Sequence, residues 1–228
     1  MALTQPTPKP DEFRERLLDS LRLQSSNFAT VRVAKHQSVY VCGETADTIY
    51  FIQSGQVKLL MLSPGGKECL LAIHTEGDTF GELCLAGPVQ RQETAIAMED
   101  TKLKRIPCSR FFEHLSRNSL VEAFVHYLAA RVGDQQQVIA NLITVDSEHR
   151  LGEILLYLAH KLGRPDPRSI RIEHKITHEE LSEMVGTTRP RITEFLRKFR
   201  GLGLIDITPK RFLIVREKKL SAYLTRVV

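Results

Sequence analysis

The chain has 228 residues, 42% hydrophobic and 26% charged, with a formal net charge of +5. At about 150 residues per domain this length fits one large domain or two small ones, and the composition excludes collagen-like, disordered and disulfide-dense classes. No apolar run approaches the roughly 20 residues that cross a bilayer, and the N-terminal residues lack the apolar core of a signal peptide, so a cytoplasmic protein with no membrane partner is expected.

Residues 1–24 read as a polar tail and a short helix, Asp11 to Leu23, with Phe13, Leu17, Leu18 and Leu21 on one side. From Ala29 to Arg105 short β-rich runs recur: T-V-R-V (30–33), S-V-Y-V (38–41), T-I-Y-F-I (48–52), Q-V-K-L-L-M-L (56–62), C-L-L-A-I (69–73), T-A-I-A-M (94–98) and K-L-K-R-I (102–106). Gly43, Ser54-Gly55, Pro64-Gly65-Gly66, Gly77-Asp78, Gly87-Pro88 and Asp100 punctuate them. Strands at this spacing predict an antiparallel jelly roll over 25–117. Cys42, Cys69, Cys84 and Cys108 show no C-x-x-C spacing and sit among apolar residues. Buried reduced thiols are therefore expected rather than a zinc or redox pair.

A long helix is predicted within 118–146. Val121, Val125, Leu128, Val132, Gln135, Ile139 and Leu142 step alternately by four and three. Such a seam packs two helices along their length and predicts a homodimer. A second apolar line through Leu120, Phe124 and Tyr127 suits packing on the helix's own domain. Gln135, polar on the seam, fixes register or meets a ligand.

The remainder, 147–228, reads as a separate domain. Residues up to Asp146 hold 15 basic and 17 acidic residues, a balance of −2; those after it hold 17 and 10, a balance of +7. Concentrated positive charge points to a polyanion, because each Lys or Arg set against a phosphate releases condensed counterions. Ser147 can cap a helix to Leu162, which Gly163 and Pro165 end, and a short strand follows near Ser169 to Glu173. Thr177-His178-Glu179-Glu180 is a capping box. Leu181, Met184 and Val185 give that helix its inner face, Gly186 breaks it, and a second helix runs from about Arg189 to Arg200 with Pro190 in its first turn, where a missing N–H costs nothing. Two short helices joined by a Gly turn make a helix-turn-helix.

On a wheel of about 100° per residue, Phe195, Leu196 and Phe199 fall within about 60° of Ile192 and face the core. Pro190, Glu194 and Arg197 point outward, flanked by Arg189, Arg191, Thr193 and Lys198. Apolar residues thus hold the helix while long polar ones face base edges and phosphates. Thr188 precedes it. Leu204–Thr208 and Phe212–Val215 flank Pro209-Lys210-Arg211 as a hairpin wing whose tip, Lys210 and Arg211, suits a phosphate contact.

This order of parts, an α+β chain with an N-terminal antiparallel β jelly roll, a long dimerisation helix and a C-terminal winged helix-turn-helix, resembles the Crp–Fnr family of bacterial transcription regulators. The most specific pieces are G-D-T-F-G-E-L-C-L (77–85) and I-T-H-E-E-L-S-E-M-V-G-T-T-R (176–189). The resemblance implies a cyclic-nucleotide-binding-domain-like sensor, a roughly palindromic double-stranded DNA operator, and RNA polymerase as partner. It also implies that Gly81, Glu82, Leu83 and Cys84 belong to a phosphate-binding cassette, with Gln135 and Gln136 near the purine.

The resemblance breaks at one residue. In the cyclic-AMP-binding members the Arg that neutralises the phosphate precedes Ser-Ala or Thr-Ala, whereas here Glu93 precedes Thr94-Ala95. A carboxylate about 4 Å from a phosphate is repelled by ~1 to 4 kcal/mol. Arg91 or Arg131 could substitute, but cyclic AMP in the usual pose is not expected. The effector stays open: a different cyclic nucleotide, another ligand, or none. No cysteine cluster near the N-terminus suits an iron–sulfur centre, no His lies in F-G-E-L-C-L for haem, and His174 with His178 lacks a third metal ligand. In the family's best-known member an Arg matching Arg189 reads guanine, a Glu stands where Pro190 does, and an Arg where Glu194 does. The operator should therefore differ: Arg189 suits O6 and N7 of guanine, Pro190 a thymine methyl, and Glu194 cytosine N4. Lys198 is expected to strengthen binding to all sequences alike. Two rivals are a regulatory subunit acting through protein contacts and a cupin-type metalloenzyme. The latter needs an H-x-H pair in the barrel, where only His36 and His74 occur, and no G-x-S-x-G or Walker loop marks another enzyme.

Overall fold

A computed structural model describes residues 10–23, 28–62, 68–87 and 89–226. Of the polar tail expected at 1–10, residues 1–9 lie outside them, and Pro10 already opens a helix. The chain divides into two compact units, 1–61 with 72–137, and 62–71 with 138–228.

The first unit opens with α1 (Pro10–Leu23), then strands β1 (Ala29–Val33), β2 (Ser38–Tyr40), β3 (Thr45–Ala46), β4 (Thr48–Ser54), β5 (Val57–Leu62), β6 (Glu68–His74) and β7 (Thr79–Phe80). A 3₁₀ turn, Glu82–Ala86, leads into β8 (Val89–Gln90), β9 (Thr94–Ala97), β10 (Thr101–Pro107), α2 (Cys108–Arg117) and α3 (Val121–Thr144), whose residues from 138 on, like residues 62–71, count with the second unit. Two four-stranded sheets run β1-β10-β4-β7 and β2-β9-β5-β6, with β3-β8 as a small third. The pairings β1–β10, β10–β4, β4–β7, β2–β9 and β9–β5 are antiparallel. Sequence reading missed β3, β7 and β8. At two residues each, they are too short to show a period.

Period-two alternation in β4 divides the core. Tyr50 and Ile52 point into the roll with Phe80, Leu59, Ala95 and Leu103. Ile49 and Phe51 point out, against a layer from α1, α2 and α3 that includes Phe13, Leu17, Phe111, Leu115, Phe124 and Tyr127. Lys104, on that outer side, is buried and donates to Phe28 O at 3.2 Å. The cysteines are free, but only Cys84 is buried; Cys42 and Cys69 are exposed. This corrects the expectation of four buried thiols: an apolar sequence neighbourhood does not bury a turn residue such as Cys42 or a strand residue on the solvent side such as Cys69.

In the second unit, α4 (Ser147–Leu162) is followed by β11 (Gly163–Asp166), β12 (Ser169–Ile172), α5 (His178–Val185), α6 (Arg189–Gly201), β13 (Ile205–Ile207), β14 (Leu213–Val215) and α7 (Glu217–Arg226). The sheet order is β11-β12-β14-β13. Leu151, Leu155, Leu158 and Leu162 of α4 are buried along with Leu181, Ile192, Phe199, Val215, Leu220 and Leu224. A side chain at Gly152 would lie 2.5 Å from Leu224 Cδ2, so α7 sits directly on the α4 backbone. Asp146, not Ser147, caps α4, its carboxylate accepting from His149 N at 2.8 Å. A carboxylate both accepts the orphan N–H and complements the helix dipole.

Candidate nucleic-acid interface and effector site

The helix-turn-helix is α5 and α6. Thr177 Oγ1 accepts from Glu180 N at 3.1 Å while Glu180 Oε2 accepts from Thr177 N at 2.8 Å, closing the capping box. Gly186 takes φ 69°, ψ 43° and donates to Ser182 O. A β-carbon is costly in that left-handed turn, which is why glycine ends α5. Thr188 has extended N-cap geometry and Pro190 lies in the first turn of α6.

Ile192, Leu196 and Phe199 are buried, and Phe199 meets the Tyr223 ring edge-on at 5.8 Å. Thr188, Arg189, Pro190, Arg191, Glu194, Arg197 and Lys198 are exposed. Phe195 is only half-buried, a correction to the wheel, which placed it fully in the core. Thr193 is half-buried; its hydroxyl donates to Arg189 O at 3.1 Å and shares a 2.9 Å hydrogen bond with His178 Nδ1. Lys198 does not point freely from the flank: its ammonium donates to both oxygens of Glu148, at 2.7 and 2.8 Å.

In the wing, Pro209, Lys210 and Arg211 are exposed at the tip between β13 and β14. Arg211 has φ 66°, its N–H donates to Thr208 O at 2.8 Å, and Thr208 Oγ1 accepts from Phe212 N at 2.9 Å. A left-handed conformation costs a non-glycine residue roughly 1–2 kcal/mol. The wing thus holds a charged side chain in a conformation that Gly or Asn would adopt more cheaply.

In the first unit, Gly81 adopts φ 82°, and a β-carbon there would come within 2.6 Å of Arg91 Nη1. Arg91 is 4% exposed; it donates to Gly81 O at 2.9 Å and Thr48 O at 2.5 Å, and lies 4.1 Å over the Tyr40 ring. Glu93, 5% exposed, accepts from Tyr40 OH at 2.7 Å. Burial, then the Glu93 carboxylate, push the Tyr40 phenol far above its ordinary range. Thr94 Oγ1 accepts from Cys42 N at 3.1 Å. The fold thus spends Arg91 on two carbonyls and the Tyr40 and Tyr50 rings, turned inward.

Glu82 opens the 3₁₀ turn and pairs with Arg131 of α3 at 2.8 Å; Arg131 also donates to Thr79 O at 3.4 Å. Burial opposes the charge on Arg131, but Glu82, with Tyr127 and Asp78, outweighs it and holds the guanidinium above its ordinary range. The second oxygen of Glu82, Thr79 Oγ1 and His74 Nε2 are buried without a hydrogen-bond partner. Leu83 is exposed, and burial pushes the Cys84 thiol, hydrogen-bonded to Cys108, up to about 12. Gln135 and Gln136 are exposed on α3. Among the described residues no group of three His, Cys, Asp or Glu side chains could hold a metal ion.

The α3 seam divides. Val121 and Leu128 pack against the unit's own core, whereas Val125, Val132 and Ile139 are 56%, 51% and 58% exposed, and Val138 is 60% exposed. The Leu142 side chain lies outside the described residues. Sequence reading missed Tyr40, Glu148 and Tyr223. Tyr40 gave no signal beyond strand alternation, and Glu148, in the first turn of α4, gave none that tied it to α6.

Residues 30–118 match the Cyclic nucleotide-binding domain family and residues 149–223 the Crp-like helix-turn-helix domain. The chain is 30% identical over 185 residues to a CRP-like cAMP-activated global transcriptional regulator of Mycobacterium tuberculosis, covering 81% of this chain and 83% of that protein. It is 29% identical over 195 residues to a global nitrogen regulator of Synechocystis, covering 84% and 86%. Among solved structures, a CRP-family transcriptional regulator from Thermus thermophilus superposes with a TM-score of 0.69 at 26% identity over 86% of this chain and 96% of that one. A CooA mutant from Carboxydothermus hydrogenoformans does so at 0.68 and 25%, over 90% and 94%.

Proposed function

The chain belongs to the Crp–Fnr family of DNA-binding transcription regulators, and on that premise we propose that it acts as a homodimer that reads a roughly palindromic operator with α6 and takes its signal in the jelly roll. One observation carries the reading: α6 is held by buried Ile192, Leu196 and Phe199 while Arg189, Pro190, Arg191, Glu194 and Arg197 stand exposed on it. Helix-turn-helix modules lay such a face in the major groove. The wing tip, Lys210 and Arg211, supplies a phosphate contact. The exposed line Val125, Val132 and Ile139 supports α3 as the dimer helix. The domains would then be the jelly roll to about 117, α3 to 146 and the winged module beyond. RNA polymerase as partner and a cytoplasmic site of action follow from the family's work on chromosomal DNA.

The effector is not cyclic AMP in the usual pose. Glu93 stands where the phosphate would need a cation, and Arg91 is committed to Gly81, Thr48 and Tyr40. A small ligand that engages the Glu82–Arg131 pair and reaches Gln135 or Gln136 remains compatible with the side chains present, a different cyclic nucleotide among them. Its binding would bias the orientation of the DNA-binding modules.

The test is selection of bound sites from random DNA, with and without a panel of cyclic nucleotides, followed by titration of the selected duplex. Arg189→Ala is expected to cost ~1 to 3 kcal/mol on the selected site and to relax preference at one base pair, with little change on random DNA. Equal losses on both duplexes would remove Arg189 as a reader. Binding that ignores salt would favour the protein-contact reading of the module.

A further inference from the structure

The helix expected to offer Lys198 to DNA instead holds it in a built contact. Lys198 Nζ lies 2.7 and 2.8 Å from the two oxygens of Glu148, in the first turn of α4. Tyr223 of α7 donates to the same Oε1 at 2.7 Å, a second hydrogen bond that holds the carboxylate in place. The Glu148 side chain is 18% exposed and that of Lys198 51%, so a mostly covered anion grips a cation still open to solvent. The hydrogen bonds to Glu148 are also the leading reason that the Lys198 ammonium and the Tyr223 phenol titrate above their ordinary values. Elsewhere on α6, Arg200 pairs with Asp206 at 3.5 Å, a looser contact between two well-exposed side chains.

We propose that Glu148 is a positioning residue that stands in for a DNA phosphate: by gripping Lys198 it withholds one sequence-independent contact from the duplex. A carboxylate and a phosphate offer an ammonium the same kind of paired oxygen acceptors. The internal acceptor is already in place and anchored by Tyr223, so DNA would have to break a made pair to recruit Lys198. Backbone contacts supply essentially all of non-specific affinity. Removing one from the tally leaves Arg189 and its neighbours a larger share of the total. The inference rests on DNA binding by α6, and it changes the expectation for Lys198 itself: its removal should cost little.

The experiment titrates the full chain with the selected duplex and with random duplex at several salt concentrations. Glu148→Gln is expected to steepen the slope of log K against log salt by about 0.9 on both, so that affinity falls roughly 3.5-fold more than wild type from 50 to 200 mM salt. Lys198→Met alone should match wild type, and the double variant should return to the wild-type slope. Glu148→Asp keeps the charge but is one methylene short; it should steepen the slope in the same sense and covers the case in which Glu148→Gln fails to fold. An unchanged slope in both Glu148 variants overturns the proposal. So does a gain that survives in the double variant, which would mean that Glu148 repels phosphates directly, or a flatter slope for Lys198→Met alone. Wild-type chain that binds neither duplex in a salt-dependent way removes the DNA-binding premise, and the proposal falls with it for that separate reason.

Discussion

Glu93 and Arg91 show how two residues of opposite charge can sit in the proposed sensor site and yet leave little for an anionic ligand. Arg91 is buried with its donors on Gly81 O and Thr48 O, and Glu93 is buried with an oxygen on the Tyr40 hydroxyl. Freeing Arg91 would break two hydrogen bonds from a charged donor, worth roughly 1.5–3 kcal/mol each. A ligand phosphate in the usual pose must meet that cost and the Glu93 carboxylate together. Calorimetry on the purified chain should therefore show no micromolar cyclic AMP binding; a clear micromolar heat would overturn this account of the site. The charge reversal at Glu93 was legible in the sequence. The inward turn of Arg91 was not, because it depends on carbonyls that β4 and Gly81 bring together from distant parts of the chain.

At the scale of the element, α3 divides one apolar ladder between its own unit and the proposed dimer seam. Val121 and Leu128 pack on their own unit, while Val125, Val132 and Ile139, seven residues apart, stay outside, as does Val138. Each such side chain contributes roughly 1.5–3 kcal/mol when fully buried. Replacing both Val132 and Ile139 by Glu removes four of them from a two-fold seam. The loss is on the order of 6 kcal/mol, or about four powers of ten in dimer dissociation constant. Sedimentation at micromolar concentration should show wild type as a dimer and the double variant as a monomer; a double variant that stays dimeric would place the seam elsewhere. The heptad steps were readable because a helix repeats every 3.6 residues. Which rungs turn inward was not, since that is decided by tertiary packing against Phe13 of the distant α1 and Phe111 and Leu115 of α2. The capping box, Gly186 and the wing were readable for the opposite reason, being set by residues within one turn of each other. Arg211 in a left-handed conformation was not, because nothing local demands a charged residue there.

Across the whole molecule the charge is lopsided, −2 up to Asp146 and +7 beyond it, and the two parts should answer to different solution variables. The basic part answers to salt, through phosphate contacts. The first unit should answer to acid through two buried histidines. His74 is 4% exposed, stacks on Phe80 at 5.9 Å and has Asp78 and Arg131 nearby; His114, 4% exposed, shares a 2.9 Å hydrogen bond with Ser20 Oγ. Burial lowers both below the ordinary 6.5. The unfolded chain therefore takes up protons at a higher pH than the folded one. Above pH ~7 neither form is protonated and the full stability is present; below about 6.5 the unfolded form gains protons the folded form refuses, and stability falls by up to ~1.4 kcal/mol per pH unit per histidine until the folded pKa is reached. Urea unfolding followed by circular dichroism should give a lower midpoint at pH 5.5 than at pH 7.5. With His74 and His114 both replaced by Gln, that drop should shrink even if the starting stability is lower. The same drop in the double variant would assign the acid sensitivity to other groups and leave the histidines as neutral packing.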